Sequence, residues 1–126
     1  MNYLKKNLWV AAAVLVAVLL IGMWAFQTQI PNAYTPFASC LKERGVLFYG
    51  AFWCPHCVEQ KKMFGSAAKA LPYVECSTPN GQGQIPLCVE KNIDTYPTWS
   101  FADGSMQKGV LSFEALAEKS GCQLPQ

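Results

Sequence analysis

Residues 46–57 read VLFYGAFWCPHC and combine two patterns that require different backbone structures. Residues 46–52 form a continuous apolar and aromatic run, which predicts a strand buried on both faces. Pro55 suits the first turn of a helix, and apolar residues recur at helical spacings over residues 55–71. The two cysteines of this stretch are therefore expected where a buried strand turns into a helix.

The spacing of Cys54 and Cys57 suits thiol chemistry. If Cys54 caps the helix and Cys57 is its third residue, the two sulfur atoms can lie within bonding distance. Cys54 then faces the positive end of the helix dipole and unpaired backbone N–H groups, which favour a thiolate. We therefore expect Cys54 to be the nucleophile and Cys57 the resolving thiol. The charge of His56 would stabilise the reduced pair further and make it an oxidant. A structural disulfide and half of a zinc site are the alternative interpretations.

The rest of the chain alternates short helices and strands. We expect helices over residues 37–43, 55–71, 86–92 and 113–120, and strands over residues 46–52, 73–76, 98–102 and 106–110. Gly65 suggests a kink in the second helix, Asp103-Gly104 a hairpin turn, and Ser112 the start of the last helix. This order predicts an α/β domain with a central mixed sheet flanked by helices. Its expected aromatic core consists of Phe48, Tyr49, Phe52, Phe64, Trp99 and Phe101.

The N-terminal segment predicts a membrane anchor. Every residue of 8–26 is apolar except Gly22, and a helix of this length measures about 28 Å, close to the hydrocarbon core of a bilayer at about 30 Å. Lys5 and Lys6 precede it and place the N-terminus in the cytoplasm. We therefore expect a single-pass protein of the inner, or cytoplasmic, membrane. Its expected parts are a cytoplasmic N-terminus (1–7), a transmembrane anchor (8–26), a linker (27–35) and an extracytoplasmic domain (36–126).

Two other N-terminal signals are less consistent with these residues. A cleaved signal peptide has an apolar region of about 7–15 residues followed by a small-x-small site, whereas residues 23–25 read MWA. A lipoprotein signal would use FASC at residues 37–40, which lies well beyond the apolar run. Cleaved or not, the segment predicts export of the domain.

Composition excludes several classes of protein. Apolar residues make up 52% of the 126 positions, charged residues 14%, and the net charge of +2 is accounted for by Lys5 and Lys6. A disordered chain, a multi-pass membrane protein and a protein that binds nucleic acid through bulk positive charge are therefore excluded.

The six cysteines of an exported domain predict a disulfide framework. Apart from the CPHC pair, Cys76 and Cys88 flank a polar loop, and Cys40 and Cys122 lie near the two ends of the domain. We expect structural bonds Cys76–Cys88 and Cys40–Cys122. The alternative for Cys76–Cys88 is a second redox pair that relays electrons to a partner.

Tyr96-Pro97-Thr98 is the second candidate element of the site. A proline at the start of a strand often marks only a sheet edge or a turn. The functional interpretation is a cis proline packed against the cysteine pair, which leaves a backbone edge free to pair with an extended substrate.

Together, these motifs resemble the thioredoxin superfamily. WCPHC at residues 53–57, YPTW at residues 96–99, a hairpin and a final helix carry the resemblance, and the CPHC form is that of DsbA-type oxidases. More closely, YGAFWCPHCVEQKKMFG, YVEC, YPTW and FADG resemble the thioredoxin-like domain fused or partnered to bacterial vitamin K epoxide reductase homologues. The resemblance covers roughly residues 37–122.

The resemblance implies a thioredoxin fold with Pro97 in cis beside the cysteine pair. It also implies that Trp53 and Tyr96 line the exposed rim, with Pro97 and Thr98, where substrate binds. The implied redox partner is a separate membrane oxidase, like vitamin K epoxide reductase or DsbB, that reduces a quinone. No cofactor or metal is expected in this chain.

One position departs from the thioredoxin pattern. Thioredoxins carry a buried aspartate six residues before the first active cysteine, where this chain has Phe48. Proton transfer is thereby left to His56, water or another group such as Glu59. Glu59, Lys61 and Lys62 are otherwise expected on a solvated helix face.

The sequence as a whole predicts a membrane-anchored thiol–disulfide oxidoreductase that oxidises exported, cysteine-containing proteins. A reductase or isomerase fed by a transmembrane electron carrier is the alternative within this class. A metal-binding chaperone that uses Cys54, His56 and Cys57 is the alternative from a different class.

Overall fold

The computed structural model describes residues 2–27 and 32–126, with the side chains of residues 7–25 and 32–126. Its contacts divide the chain into two compact units, Met1–Pro31 and Asn32–Gln126. The first unit contains helix α1, Asn2–Gln27, which includes the predicted anchor. Residues 28–31 of the predicted linker and the side chains of Lys5 and Lys6 lie outside the described residues.

Helix α1 is long and apolar enough to cross a membrane. The stretch Asn7–Ala25 has a mean hydropathy of 2.5. A signal sequence near the N-terminus shares this length and composition. An uncleaved anchor and its orientation therefore stay predictions.

The second unit is a mixed α/β structure, as the sequence predicts. Its helices are α2 (Thr35–Glu43), α3 (Pro55–Phe64), a 3₁₀ helix (Gly65–Ala70), α4 (Pro86–Glu90) and α5 (Phe113–Ser120). Its strands are β1 (Leu47–Gly50), β2 (Tyr73–Glu75), β3 (Thr98–Ser100) and β4 (Met106–Lys108). They form one sheet in the order β2-β1-β3-β4, in which β1 is parallel to β2 and antiparallel to β3. β3 and β4 form the predicted antiparallel hairpin.

Alternating side chains of β1 contribute to two separate cores. Phe48 stacks on Trp99 of β3 at a centroid distance of 4.5 Å, and both are fully buried in the larger core. That core also contains apolar residues of α2, α3 and α5. Tyr49 joins a smaller core with Ile93 and the Cys76–Cys88 disulfide. The central strand is thus fixed by packing immediately before the chain enters the cysteine motif.

The strand predicted over residues 46–52 was expected to be buried on both faces and to include Phe52 in the core, and both expectations are wrong. The strand ends at Gly50, and Phe52 is 55% exposed in the turn that leads to α3. Leu47 is 37% exposed because the smaller core does not extend over its end of the sheet. The other five aromatic residues expected in the core are buried.

The helix predicted over residues 55–71 is divided at Gly65. This residue has φ +57° and ends α3, and the chain continues as the 3₁₀ helix. A glycine adopts this left-handed conformation without the steric cost of a Cβ. The predicted kink is therefore a complete change of helix type.

The folded unit begins at Asn32, four residues before position 36. The Asn32 side-chain amide donates to the carbonyl oxygen of Phe64 at 3.1 Å, and the Asn32 side-chain oxygen accepts from the Tyr34 backbone N–H at 2.9 Å. The Tyr34 ring stacks on Phe113 of α5, with centroids 4.2 Å apart. The last residues of the predicted linker are thus packed against the domain.

Candidate redox site

Cys54 is the N-cap residue of α3. Its backbone is extended, with φ −79° and ψ 118°, and Pro55 follows in the first turn. The Cys54 N–H donates to the Ala51 carbonyl at 3.0 Å, and the Cys54 carbonyl accepts from the Val58 N–H at 3.2 Å. Proline at this position fits because its missing N–H would have no partner within the helix. The local sequence therefore places Cys54 at the positive end of a ten-residue helix and Cys57 third in that helix.

The structure brings Cys54 next to the Tyr96-Pro97 peptide. The Cys54 thiol donates to the Tyr96 carbonyl oxygen, with the sulfur 3.6 Å from the oxygen, and the Tyr96–Pro97 bond is cis. Thr98 is buried, and its hydroxyl donates to the Thr95 carbonyl at 2.7 Å. The CPHC motif and the Tyr96-Pro97 peptide, whose contacting residues are 42 positions apart, thus meet at the Cys54 sulfur. The Thr98 side chain faces inward and is not part of the exposed rim.

Trp53 and Tyr96 form a partly exposed aromatic rim beside Cys54. Their rings meet edge to face with centroids 5.9 Å apart, and the Trp53 indole N–H donates to the Ser77 hydroxyl at 2.9 Å. Trp53 nevertheless remains 52% exposed. A Cβ on Gly81 would lie 3.6 Å from both Phe52 Cζ and Trp53 Cδ1, so the loop after β2 approaches these two aromatic residues closely.

His56 lies on the exposed side of the first turn of α3. Its Nδ1 is 3.4 Å from a carboxylate oxygen of Glu59, one turn further along the helix. Both side chains are more than half exposed. A positive His56 would thus lie near both the Glu59 carboxylate and the cysteine motif, and its effect on Cys54 stays a prediction.

Cys57 is almost completely enclosed. It is 1% exposed, and burial is the main cause that raises the pKa of its thiol to about 12. The backbone of Ala51 and the positive charge of Lys61 act in the opposite direction, while the neighbouring Cys54 raises the pKa further. Cys57 is therefore a protonated thiol at neutral pH.

The remaining four cysteines are joined as Cys40–Cys122 and Cys76–Cys88, the two expected pairs, with S–S distances of 2.07 and 2.03 Å. Cys76 and Cys88 are fully buried in the smaller core. The Cys76 N–H also donates to the Gly50 carbonyl at 2.7 Å, which fixes this disulfide beside the end of β1.

A polar group beside Cys57 was not expected from the sequence. Glu75 accepts hydrogen bonds from the Tyr73 hydroxyl at 2.8 Å and from the backbone N–H of Phe52 and Ser77 at 3.2 and 2.9 Å. Lys61 Nζ lies 3.3 Å from the centroid of the Tyr73 ring, so Lys61 is not merely part of a solvated helix face. The sequence predicted a strand after the cysteine helix, which could pair with β1. It did not indicate that Tyr73 and Glu75 of this strand lie near Cys57.

Metal ligands are not clustered in the part of the chain that the structure describes. Within residues 7–25 and 32–126, no group of three or more histidine, cysteine, aspartate or glutamate side chains could hold a metal ion.

The chain is similar to a known plant protein. The chain is 40% identical over 110 residues to a protein of Arabidopsis thaliana named thiol-disulfide oxidoreductase LTO1. The match covers 80% of this chain but 29% of the relative, so the chain spans less than a third of that protein's length. No protein-family model matches the chain. The relative's name agrees with the sequence prediction of an oxidoreductase.

Proposed function

We propose that the chain is a membrane-anchored, extracytoplasmic thiol–disulfide oxidoreductase with a thioredoxin fold. The observation that carries the proposal is the environment of Cys54, which caps α3 and has its sulfur 3.6 Å from the carbonyl that precedes cis Pro97. The mixed sheet with β1 leading directly into this cap supports the fold. The 40% identity to a thiol-disulfide oxidoreductase supports the activity.

The redox step follows from the different positions of the two sulfurs. In the oxidised protein, a substrate thiolate attacks Cys54 Sγ, a Cys54–substrate disulfide forms, and the Cys54–Cys57 bond breaks. Cys57 leaves as a thiolate and takes up one proton. A second substrate thiolate attacks the substrate sulfur of the mixed disulfide and releases Cys54. The substrate thereby loses two electrons and gains a disulfide, and the protein becomes a dithiol.

We propose that this direction, oxidation of exported cysteine-containing proteins, is the physiological one. The helix terminus at Cys54 and a positive His56 both favour the thiolate and hence the reduced protein, which makes the disulfide form an oxidant. Recycling requires a second disulfide, and the proposed donor is a membrane oxidase like vitamin K epoxide reductase or DsbB. Helix α1 would hold the domain at the same membrane.

Substrate trapping tests the activity. In the Cys57→Ala variant of the full chain, Cys54 can still form mixed disulfides with partner proteins. These should accumulate, because no Cys57 thiolate remains to attack Cys54 Sγ and release the partner. These adducts should disappear on treatment with a reductant and should be absent from a Cys54→Ala/Cys57→Ala control. If the single variant traps nothing in cells that export cysteine-containing proteins, the proposed activity is wrong.

The reduction potential of the Cys54–Cys57 pair tests the direction. A value near that of DsbA, about −120 mV, supports an oxidase, whereas one near that of thioredoxin, about −270 mV, supports a reductase. Equilibration with glutathione buffers, followed by alkylation and mass analysis of the two cysteines, gives this value directly.

A further inference from the structure

Cys57 and Tyr73 share a small space that Gly50 leaves open. A Cβ on Gly50 would lie 2.9 Å from Cys57 Sγ, 2.8 Å from Tyr73 Cε2 and 3.3 Å from the Tyr73 hydroxyl oxygen. No side chain at position 50 separates the thiol from the phenol. The buried thiol and the Tyr73 hydroxyl therefore border the same space, and in this structure no hydrogen bond joins them directly.

The Tyr73 hydroxyl is connected to a carboxylate in a fixed position. It donates to Glu75 Oε2 at 2.8 Å, while Glu75 Oε1 accepts from the backbone N–H of Phe52 and Ser77. The backbone bonds hold one oxygen, so the other stays directed at the phenol. Glu75 is partly exposed and can exchange a proton with water.

The charges around Cys57 and Tyr73 suit proton transfer between them. Lys61 approaches the Tyr73 ring from α3, with Nζ 3.3 Å from its centroid, and its positive charge lowers the pKa of Cys57. Burial, followed by the hydrogen bond to Glu75, raises the pKa of Tyr73 above its usual range. The phenol is therefore a neutral donor at neutral pH. Cys54 and Lys61 act on the charge of Cys57, and Cys57 in turn acts on Tyr73, whose hydroxyl is bonded to Glu75.

We propose that Tyr73 and Glu75 exchange the proton of Cys57 during thiol–disulfide exchange. This inference rests on the function proposed above. During reoxidation, Cys57 attacks Cys54 Sγ in a mixed disulfide with a partner protein. The Cys57–Cys54 bond forms, and the partner sulfur leaves as a thiolate. The Cys57 proton passes to the Tyr73 oxygen as the Tyr73 proton passes to Glu75, which releases it to water. During substrate oxidation the same transfer runs in reverse.

Such an acceptor removes a specific obstacle. Burial raises the pKa of the Cys57 thiol well above its usual range, so the free thiolate is disfavoured at pH 7. A nearby acceptor removes the proton as the bond forms, so the free thiolate need not accumulate. Phe48 is apolar and stacked on Trp99, and cannot serve as this acceptor.

Single-turnover kinetics test the inference. The reduced full chain in detergent is mixed with oxidised glutathione, and acid-quenched samples are analysed by mass spectrometry. Formation of the Cys54–glutathione adduct and its resolution by Cys57 are then separate phases. In Glu75→Gln and Tyr73→Phe, resolution should slow by roughly 10²-fold at pH 7, because general acid–base catalysis contributes at least about this much. Adduct formation should be unchanged.

The pH profile separates proton transfer from a structural effect. In both variants, resolution should accelerate about tenfold per pH unit, as direct ionisation of Cys57 requires, whereas the unaltered protein should show a shallower dependence. The double variant should be no slower than the single variants, because the two residues act in one relay. Glu118→Gln, an exposed carboxylate on α5, is the matched control and should behave like the unaltered protein.

The outcomes are distinguishable. The inference about Tyr73 and Glu75 is wrong if both variants form the adduct and resolve it at the normal rate. It is also wrong if Glu59→Gln slows resolution instead. Either result would leave the proposed function intact. If the unaltered protein forms no adduct on Cys54, the proposed function is wrong and the inference with it. The glutamine retains an oxygen for Phe52 and Ser77, and the phenylalanine retains the ring under Lys61. If Glu75→Gln does not fold, Tyr73→Phe decides the question by itself.

Discussion

Replacing Gly50 with alanine should destabilise the domain through two specific contacts. The added Cβ would lie 2.8 Å from Tyr73 Cε2 and 2.9 Å from Cys57 Sγ. Favourable carbon–carbon contacts are about 3.5–4.0 Å, so the Tyr73 ring would have to retreat by about 0.7–1.2 Å. Tyr73 is held by Glu75 and Lys61, which oppose this movement.

The expected net effect is moderate because two terms oppose each other. Overpacking a well-packed core costs about 1–3 kcal/mol. Gly50 is in a strand and outside the left-handed region, so alanine recovers about 0.5–1 kcal/mol of backbone entropy. The two terms together lower the free energy of unfolding by about 0–2.5 kcal/mol, and we expect a loss of about 1 kcal/mol.

Urea unfolding of the full chain in non-ionic detergent, followed by near-ultraviolet circular dichroism, measures this change. Gly83→Ala is the control, because the atom nearest to its Cβ would be Cγ2 of the partly exposed loop residue Thr78, at 3.3 Å. This substitution should change stability by no more than about 0.5 kcal/mol. In a Tyr73→Leu background, Gly50→Ala should cost less than half as much, because one contact is gone. Equal costs in the two backgrounds would refute the steric explanation.

Three further results are expected. The reduced protein should lose stability as the pH rises from about 9 towards 12. Cys57 has a higher pKa in the folded than in the unfolded protein, so in this range the unfolded protein loses the Cys57 proton first and is favoured. Cys57→Ala should lack this component in pH-dependent unfolding curves. Gln60→Leu should cost about 1–3 kcal/mol in urea unfolding, because the buried amide of Gln60 bonds both the N–H and the carbonyl of Leu111, and an unchanged midpoint would contradict this. Replacing Cys40 and Cys122 together with serine should lower the midpoint of thermal unfolding and cost roughly 3–5 kcal/mol, since the bond closes a loop across 82 positions; a cost below 1 kcal/mol would show that the loop contributes little.

Features set by local sequence were predicted correctly. Pro55 after Cys54 fixes the start of α3, and Asp103-Gly104 fixes the hairpin, because both depend on the conformations of a few neighbouring residues. The Ser112 side chain accepts from the Ala115 N–H at the start of α5, as expected from its position.

Some features set by distant contacts were not predicted, although the two structural disulfides and the cis Pro97 beside Cys54 were. Phe52 is an apolar residue of the kind found in cores, but its exposure depends on where β1 ends and on the position of the loop that contains Gly81. The group formed by Tyr73, Glu75 and Lys61 depends on the register that places Gly50 opposite Glu75 in parallel strands. β1 and β2 are not joined by a tight turn that would set their register, so the register could not be predicted from the sequence.

The Cys40–Cys122 bond also has a mechanical consequence. All four strands, the cysteine motif and Pro97 lie between these two cysteines along the chain. Once the contacts of Asn32 with Phe64 and of Tyr34 with Phe113 have opened, a pulling force applied at Asn32 and Gln126 would pass from α2 through the sulfur–sulfur bond into the last residues. Tension between the two ends of the domain would then not extend the backbone that carries the redox pair.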